Sequence, residues 1–115
     1  MKYYYGQIRP TNYDALRQIY GHEPPWDMEH SPHVSLARMA IGGVVSKDLY
    51  LDYMMMTREK TLDALNDYRK SFALMKKLVN KKQEKPILLE HNCIKDGNHR
   101  WAMNFVMNRS QFTKD

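Results

Sequence analysis

From Leu62 onward the chain carries apolar residues at a helical spacing. Leu62, Leu65, Tyr68, Phe72, Met75 and Val79 recur every three or four positions, while Arg69, Lys70, Lys76, Lys77 and Asn80 fall off that stripe. Such a period belongs to an amphipathic helix. It predicts the longest one in the chain, over about Thr61 to Lys82. Ahead of it, Val34, Leu36, Ala37, Ala40 and Ile41 predict a short helix that Ser31 caps, with Pro32 at its first position and Gly42-Gly43 at its end. A further helical segment through Leu49, Tyr50, Tyr53 and Met54 is expected to take its cap from Ser46. After the long helix the pattern changes. Ile87-Leu88-Leu89 is a short, continuously apolar strand, His91-Asn92 supplies turn chemistry, and Cys93-Ile94 begins a return strand, so Pro86 to Ile94 reads as a tight hairpin. Arg100 to Met107 is again helical, with Trp101, Ala102, Phe105 and Val106 on its inner face, and the polar tail from Asn108 is expected to fray. At the other end, Tyr3 to Ile8 is aromatic and β-prone, and Thr11 is placed to cap a short helix that stops at Gly21.

Composition refines this outline. The sequence has 115 residues, 43% hydrophobic and 27% charged, which fits one folded domain and not a disordered chain. Nine Met and eight Tyr make up much of the apolar content; they suit either an adaptable core or an adaptable binding surface. The net charge of +5 permits an anionic partner: a nucleotide, a nucleic acid or an acidic protein surface. The cluster Lys76, Lys77, Lys81, Lys82 and Lys85 gathers at the end of the long helix, where the macrodipole favours cations. Cys93 is the single cysteine, so no internal disulfide forms, in keeping with a reducing, cytoplasmic compartment. No apolar run approaches the ~18 residues of a membrane span, and the opening Met-Lys-Tyr-Tyr-Tyr-Gly-Gln does not read as a signal peptide.

The densest chemistry lies at Asp96-Gly97-Asn98-His99-Arg100. With Asn98 as N-cap, His99 and Arg100 occupy the first turn of the last helix. Two potential cations at the positive end of a helix dipole are unfavourable by a few tenths of a kcal/mol each. An anion resolves the conflict: free backbone amides, an imidazole and a guanidinium fork all suit a phosphate. Gly97 allows close approach or positive φ. Asp96 is placed to ligate Mg²⁺ on that phosphate, or to orient His99 or a hydroxyl substrate. The loop Gly21 to Pro32 supplies further acids, of which Glu23, Asp27 and Glu29 are candidates for a catalytic base. His30-x-x-His33, with Glu29 beside it, approaches metal-ligand spacing, but Pro32 interrupts it and no third ligand is indicated.

Pro-Ile-Leu-Leu, a short hairpin and then Asp96-Gly97-Asn98-His99-Arg100-Trp101-Ala102 resemble the signature of the ParB/sulfiredoxin superfamily. The resemblance runs from about Leu62 to Val106. It implies an α+β fold: one small domain with a compact mixed sheet flanked by helices. It also implies nucleotide binding at the helix that opens with the motif, with Gly97, Asn98, His99 and Arg100 on the phosphate, Asp96 near a Mg²⁺ ion, and a catalytic set of Asp96, His99 and an acid from the earlier loop, for which Glu29 is taken with Glu23 and Asp27 still open. The implied cofactors are Mg²⁺ and ATP or another nucleoside triphosphate. The implied activities are phosphoryl transfer or phosphoester hydrolysis, nuclease action included. Sulfiredoxin chemistry does not carry over, because Asn98 stands where those proteins have the cysteine before His-Arg. The alternative is a non-catalytic module that engages a protein or nucleic acid through a Met- and Tyr-rich or lysine-rich surface.

Overall fold

Local signals set several elements of the computed structural model, which describes residues 4–5, 14, 17–18, 27–81 and 84–114. Ser31 ties two of them together. Its hydroxyl donates to the Met28 carbonyl at 2.8 Å, closing a single 3-10 turn (Met28–His30), and accepts from the Val34 amide at 3.2 Å, opening helix α1 (Pro32–Ala40). The α1 end follows the expected Gly42-Gly43: Gly42 has φ +84°, and a Cβ on Gly43 would lie 2.8 Å from the Arg38 carbonyl oxygen. Helix α2 (Leu49–Thr57) is capped by Asp48 and not by Ser46. One Asp48 oxygen accepts from the Leu51 amide at 3.0 Å, and the other accepts from the Tyr68 hydroxyl at 2.6 Å on helix α3 (Thr61–Asn80). The carboxylate therefore serves two helices at once.

Helix α3 keeps the expected start and most of the expected stripe, with Tyr68, Phe72, Met75 and Val79 on the core. Ala64 and Met75 are fully buried, whereas Leu62 is 66% exposed. Leu62 sits in the first turn, past the edge of the core, so its apolar character finds no partner there. The hairpin forms as read: β1 (Ile87–Glu90) pairs antiparallel with β2 (Cys93–Asp96), with a register shift between Leu88 and Leu89. His91 and Asn92 both take positive φ, the handedness a two-residue hairpin turn requires. Ile87 and Leu89 point inward while Leu88 and Glu90 face out.

One expectation is corrected at the edge of the domain. The tail from Asn108 is pinned to the domain. Strand β3 (Thr113–Lys114) pairs parallel with β1, giving the sheet order β2-β1-β3. Arg109 donates to the Leu78 carbonyl at 2.9 Å and to that of Val79, closing the α3 C-terminus. Those orphan carbonyls need donors, and a guanidinium supplied from 30 residues away is invisible to local pattern reading. Of the described tyrosines, Tyr5, Tyr50 and Tyr53 are buried, and the Tyr53 ring meets the other two at tilted contacts.

The result is an α+β domain in which α1 packs against α4 (Asn98–Val106), α3 packs on α2, and the three-stranded sheet lies beside α4. Met28, Met54, Met75 and Met103 are fully buried at its centre with Leu36, Ile87 and Ile94. Most of the expected first strand and its helix, with Glu23 and Trp26, lie outside the described residues. Tyr4, which is described, exchanges backbone hydrogen bonds with the hairpin, donating to the Asn92 carbonyl at 2.7 Å and accepting from the Ile94 amide at 3.0 Å. Among the described residues no helix is long and apolar enough to cross a membrane.

Candidate functional site

Strand β2 delivers Asp96 to the start of α4, and Gly97 makes the corner. Its φ of +99° is left-handed, and it, not Asn98, holds the N-cap position. A glycine adopts that conformation at little cost, so the helix begins one residue earlier than the cap propensity of Asn98 suggests. Asn98 becomes the first helical residue and is 2% exposed. No side chain caps this helix start. Its first backbone bond runs from the Trp101 amide to the Gly97 carbonyl at 2.8 Å.

Arg100 turns back across this corner. Its Nη1 donates to the carbonyls of Lys85 at 2.8 Å and Pro86 at 3.3 Å, and its Nη2 lies 3.5 Å from the Asp96 carboxylate. The guanidinium occupies space that only glycine leaves open, since a Cβ on Gly97 would stand 2.9 Å from Nη2 and 3.1 Å from Ile87 Cγ1. Asp96, Gly97 and Arg100 thus fasten the helix start to the segment that enters β1. The ion pair itself is half solvated and contributes no more than about 1 kcal/mol. The carbonyl bonds come from the same Nη1, one exposed and one part-buried, so solvent weakens them below the roughly 1.5–3 kcal/mol of a buried bond to a charged donor.

His99 faces inward. Its ring stands edge-on to His33, 4.5 Å between centroids and 86° between planes, with Tyr50 at 6.2 Å. Burial lowers its pKa from the ordinary 6.5 to about 4. His33, at the start of α1, is completely buried; desolvation first and the neighbouring His99 second hold it well below its ordinary value. Both imidazoles are therefore neutral at pH 7. The expectation of two cations at the helix start is corrected to one, Arg100, and that one is already bonded. Burial is what the sequence conceals here: periodicity places His99 on the helix but not on the face that meets α1.

His33 enters this cluster from 66 positions upstream, and no local spacing signals the pairing. The histidine pair that the sequence did suggest is not formed. His30 is exposed, with Nδ1 2.6 Å from an Asp27 oxygen, while His33 lies in the core. Three residues at the cluster have buried side-chain polar atoms with no hydrogen-bond partner among the described residues: both ring nitrogens of His33, both amide atoms of Asn98, and Nε2 of His99. A buried polar atom left so costs about 1–3 kcal/mol, so the helix start concentrates unused hydrogen-bonding capacity.

Glu29 stands elsewhere. It forms, with His30, Arg38 and Lys47, part of the wall of an open cleft of about 420 Å³ between α1 and the 44–49 segment, and none of residues 96–100 lines that cleft. Asp27, another candidate base, is engaged with His30. Among the described residues no group of three or more His, Cys, Asp or Glu side chains is placed to hold a metal ion. Asp96, with a side chain 70% exposed, is the acid at the motif that remains open to solvent. A single carboxylate suits Mg²⁺ only in the common arrangement where phosphate oxygens and waters supply the other ligands. Compared with known proteins, the chain matches no family model, no curated protein and no solved structure.

Proposed function

We propose that the chain is a nucleotide-binding domain of the ParB/sulfiredoxin kind, receiving a phosphate at the start of α4. The observation that supports this reading most is the uncapped first turn of α4 beside the unpartnered polar atoms of Asn98 and His99. Backbone amides and the positive end of the dipole favour an anion there. Gly97 and Asn98 give the backbone approach, and neutral His99 offers a hydrogen bond in place of a charge. Arg100 reaches the phosphate by releasing the Lys85 and Pro86 carbonyls. Asp96 holds Mg²⁺ against the phosphate when that ion is bound. The reaction class in keeping with this set is phosphoryl transfer or phosphoester hydrolysis, in which positioning and charge neutralisation do most of the catalysis. Calorimetric titration with ATP, CTP and GTP, with and without Mg²⁺, tests the reading. Arg100→Ala is expected to weaken binding by roughly 10- to 100-fold, the weight of one charged hydrogen bond, and circular dichroism checks that the variant is folded. If the native chain binds none of the three nucleotides, the reading fails.

A second reading is a binding module without catalysis. It is favoured by the engagement of Arg100 within the fold and by the placing of Glu29 away from residues 96–100. Nucleotide binding without turnover under the same conditions selects it.

A further inference from the structure

Helix α3 buries one side against α2, α1 and α4 and leaves the other to solvent. Arg69, Lys70, Lys76, Lys77 and Lys81 are all exposed, and the span from Tyr68 to Lys81 contains no acid. At 100° per residue, Arg69, Lys70, Lys76 and Lys77 fall within an arc of ~120°, in two pairs ~10 Å apart along the axis. Ordinary surface chemistry does not account for this stripe. The macrodipole rewards cations only in the last turn, which covers Lys77 and Lys81 but not Arg69 and Lys70 near the middle of the helix. No carboxylate among the described residues pairs with any of the five. The one acid within helical reach, Asp67 three positions before Lys70, is bonded to Arg58 at 2.7 Å. Lys77 and Lys81 stand at i, i+4, where like charges repel. Among the described residues the stripe is thus an uncompensated line of positive charge on a single helix.

We propose that the outer face of α3 is a docking surface for the phosphate backbone of duplex nucleic acid, engaged through Arg69, Lys70, Lys76 and Lys77. Charge complementarity sets the class of partner: a polyanion with regularly spaced charges fits a straight, regularly spaced cationic helix face. The residues between the cations narrow it further. Along the middle of the arc lie Leu62 at its N-terminal end and then Asn66, Ala73 and Asn80, all exposed, so that the centre between the two cationic pairs holds only Ala73. Amide side chains donate to phosphates, whereas a protein interface needs buried aromatic or aliphatic anchors at its centre. Single strands are held by exposed aromatic platforms. This face has none, because Phe72 is half-buried and lies beneath Lys76 Nζ, 4.6 Å from its ring centre. The surface names a partner for the second reading above and is independent of the phosphate site at the start of α4.

The test is fluorescence anisotropy of the full chain with two unrelated ~20-bp duplexes at several salt concentrations. Four phosphate contacts predict log–log salt slopes near −3.6, so that affinity falls roughly 150-fold between 50 and 200 mM salt, equally for both sequences. Combined Arg69→Gln, Lys70→Gln, Lys76→Gln and Lys77→Gln should flatten the slope by roughly 0.9 per residue, with an unchanged melting temperature and unchanged nucleotide titration. Lys95→Gln, which removes a cation paired with Glu90 on β2, should leave the slope as it is. An undiminished slope in the fourfold variant overturns the proposal. So does equal, equally salt-sensitive binding of poly-glutamate, which would assign the face to acidic proteins. Loss of nucleotide binding in Arg100→Ala with duplex binding intact separates the two sites.

Discussion

Acidification should unfold this domain through its buried histidines, before its carboxylates titrate. His99 titrates near 4 in the folded chain, against 6.5 when solvated. The unfolded chain therefore binds a proton that the folded chain refuses. Above pH 7 both states are neutral and the difference contributes nothing. As pH falls through 6.5 the unfolded state is favoured progressively, and the loss levels off near pH 4. At ~1.4 kcal/mol per pKa unit the full penalty is roughly 3 kcal/mol, of which about 2 kcal/mol is already felt at pH 5. His33, buried completely and facing His99 and the rings of Tyr5 and Tyr50, adds to the loss with the same sign. For a domain whose whole stability is about 5–15 kcal/mol, this is a large share. Urea denaturation followed by tryptophan fluorescence from pH 7.5 to 5 reads it directly, because most carboxylates stay ionised over that range. The midpoint should fall with pH in the native chain, less in His99→Gln, and least in the His33→Gln/His99→Gln pair. A midpoint that stays level between pH 7 and 5 in the native chain would refute the reasoning.

Three further substitutions probe the frame. Gly97→Ala meets positive φ and the Arg100 guanidinium at 2.9 Å, so a loss of about 1–2 kcal/mol or more is expected in chemical denaturation; a neutral result would show that the corner can relax. Asp48→Ala removes both an N-cap and the acceptor for Tyr68. It should cost about 2 kcal/mol, with measurable coupling to Tyr68→Phe in a double-mutant cycle and none if the two roles are independent. Arg109→Met keeps the aliphatic stem but strips the donors from the α3 carbonyls. A loss of about 1.5–3 kcal/mol in thermal or urea melts is expected, and hydrogen exchange should rise first at the end of α3.

Elements whose cause is local could be read from the sequence. The α3 stripe, the Ser31-Pro32 start, the Gly42-Gly43 stop and the His91-Asn92 turn each carry their reason within a few residues. What escaped reading depends on distant partners. Asp48 outcompetes Ser46 as a cap because Tyr68 holds its second oxygen. The tail is ordered because Arg109 and Thr113–Lys114 find α3 and β1. The motif at Asp96–Arg100 could be located as a helix start, but its electrostatics could not. Whether His99 is a cation depends on His33 and the depth of burial, and whether Arg100 is free depends on the carbonyls of Lys85 and Pro86.

Seven of the described methionines stand at the two extremes of burial, with only Met39 half-buried between them, and that makes the fold self-reporting. Met28, Met54, Met75 and Met103 come one each from the 3-10 turn, α2, α3 and α4 and are sealed at the centre, while Met55, Met56 and Met107 stand in solvent. Dilute peroxide will convert the outer thioethers, each 36–44% exposed, to sulfoxides without any opening of the domain. The inner four can react only in molecules that have opened. Mass spectrometry of a single peroxide-treated sample therefore carries its own clock and its own readout: the outer sites time the exposure, and the ratio of inner to outer oxidation counts how often, and at which element, the domain opens.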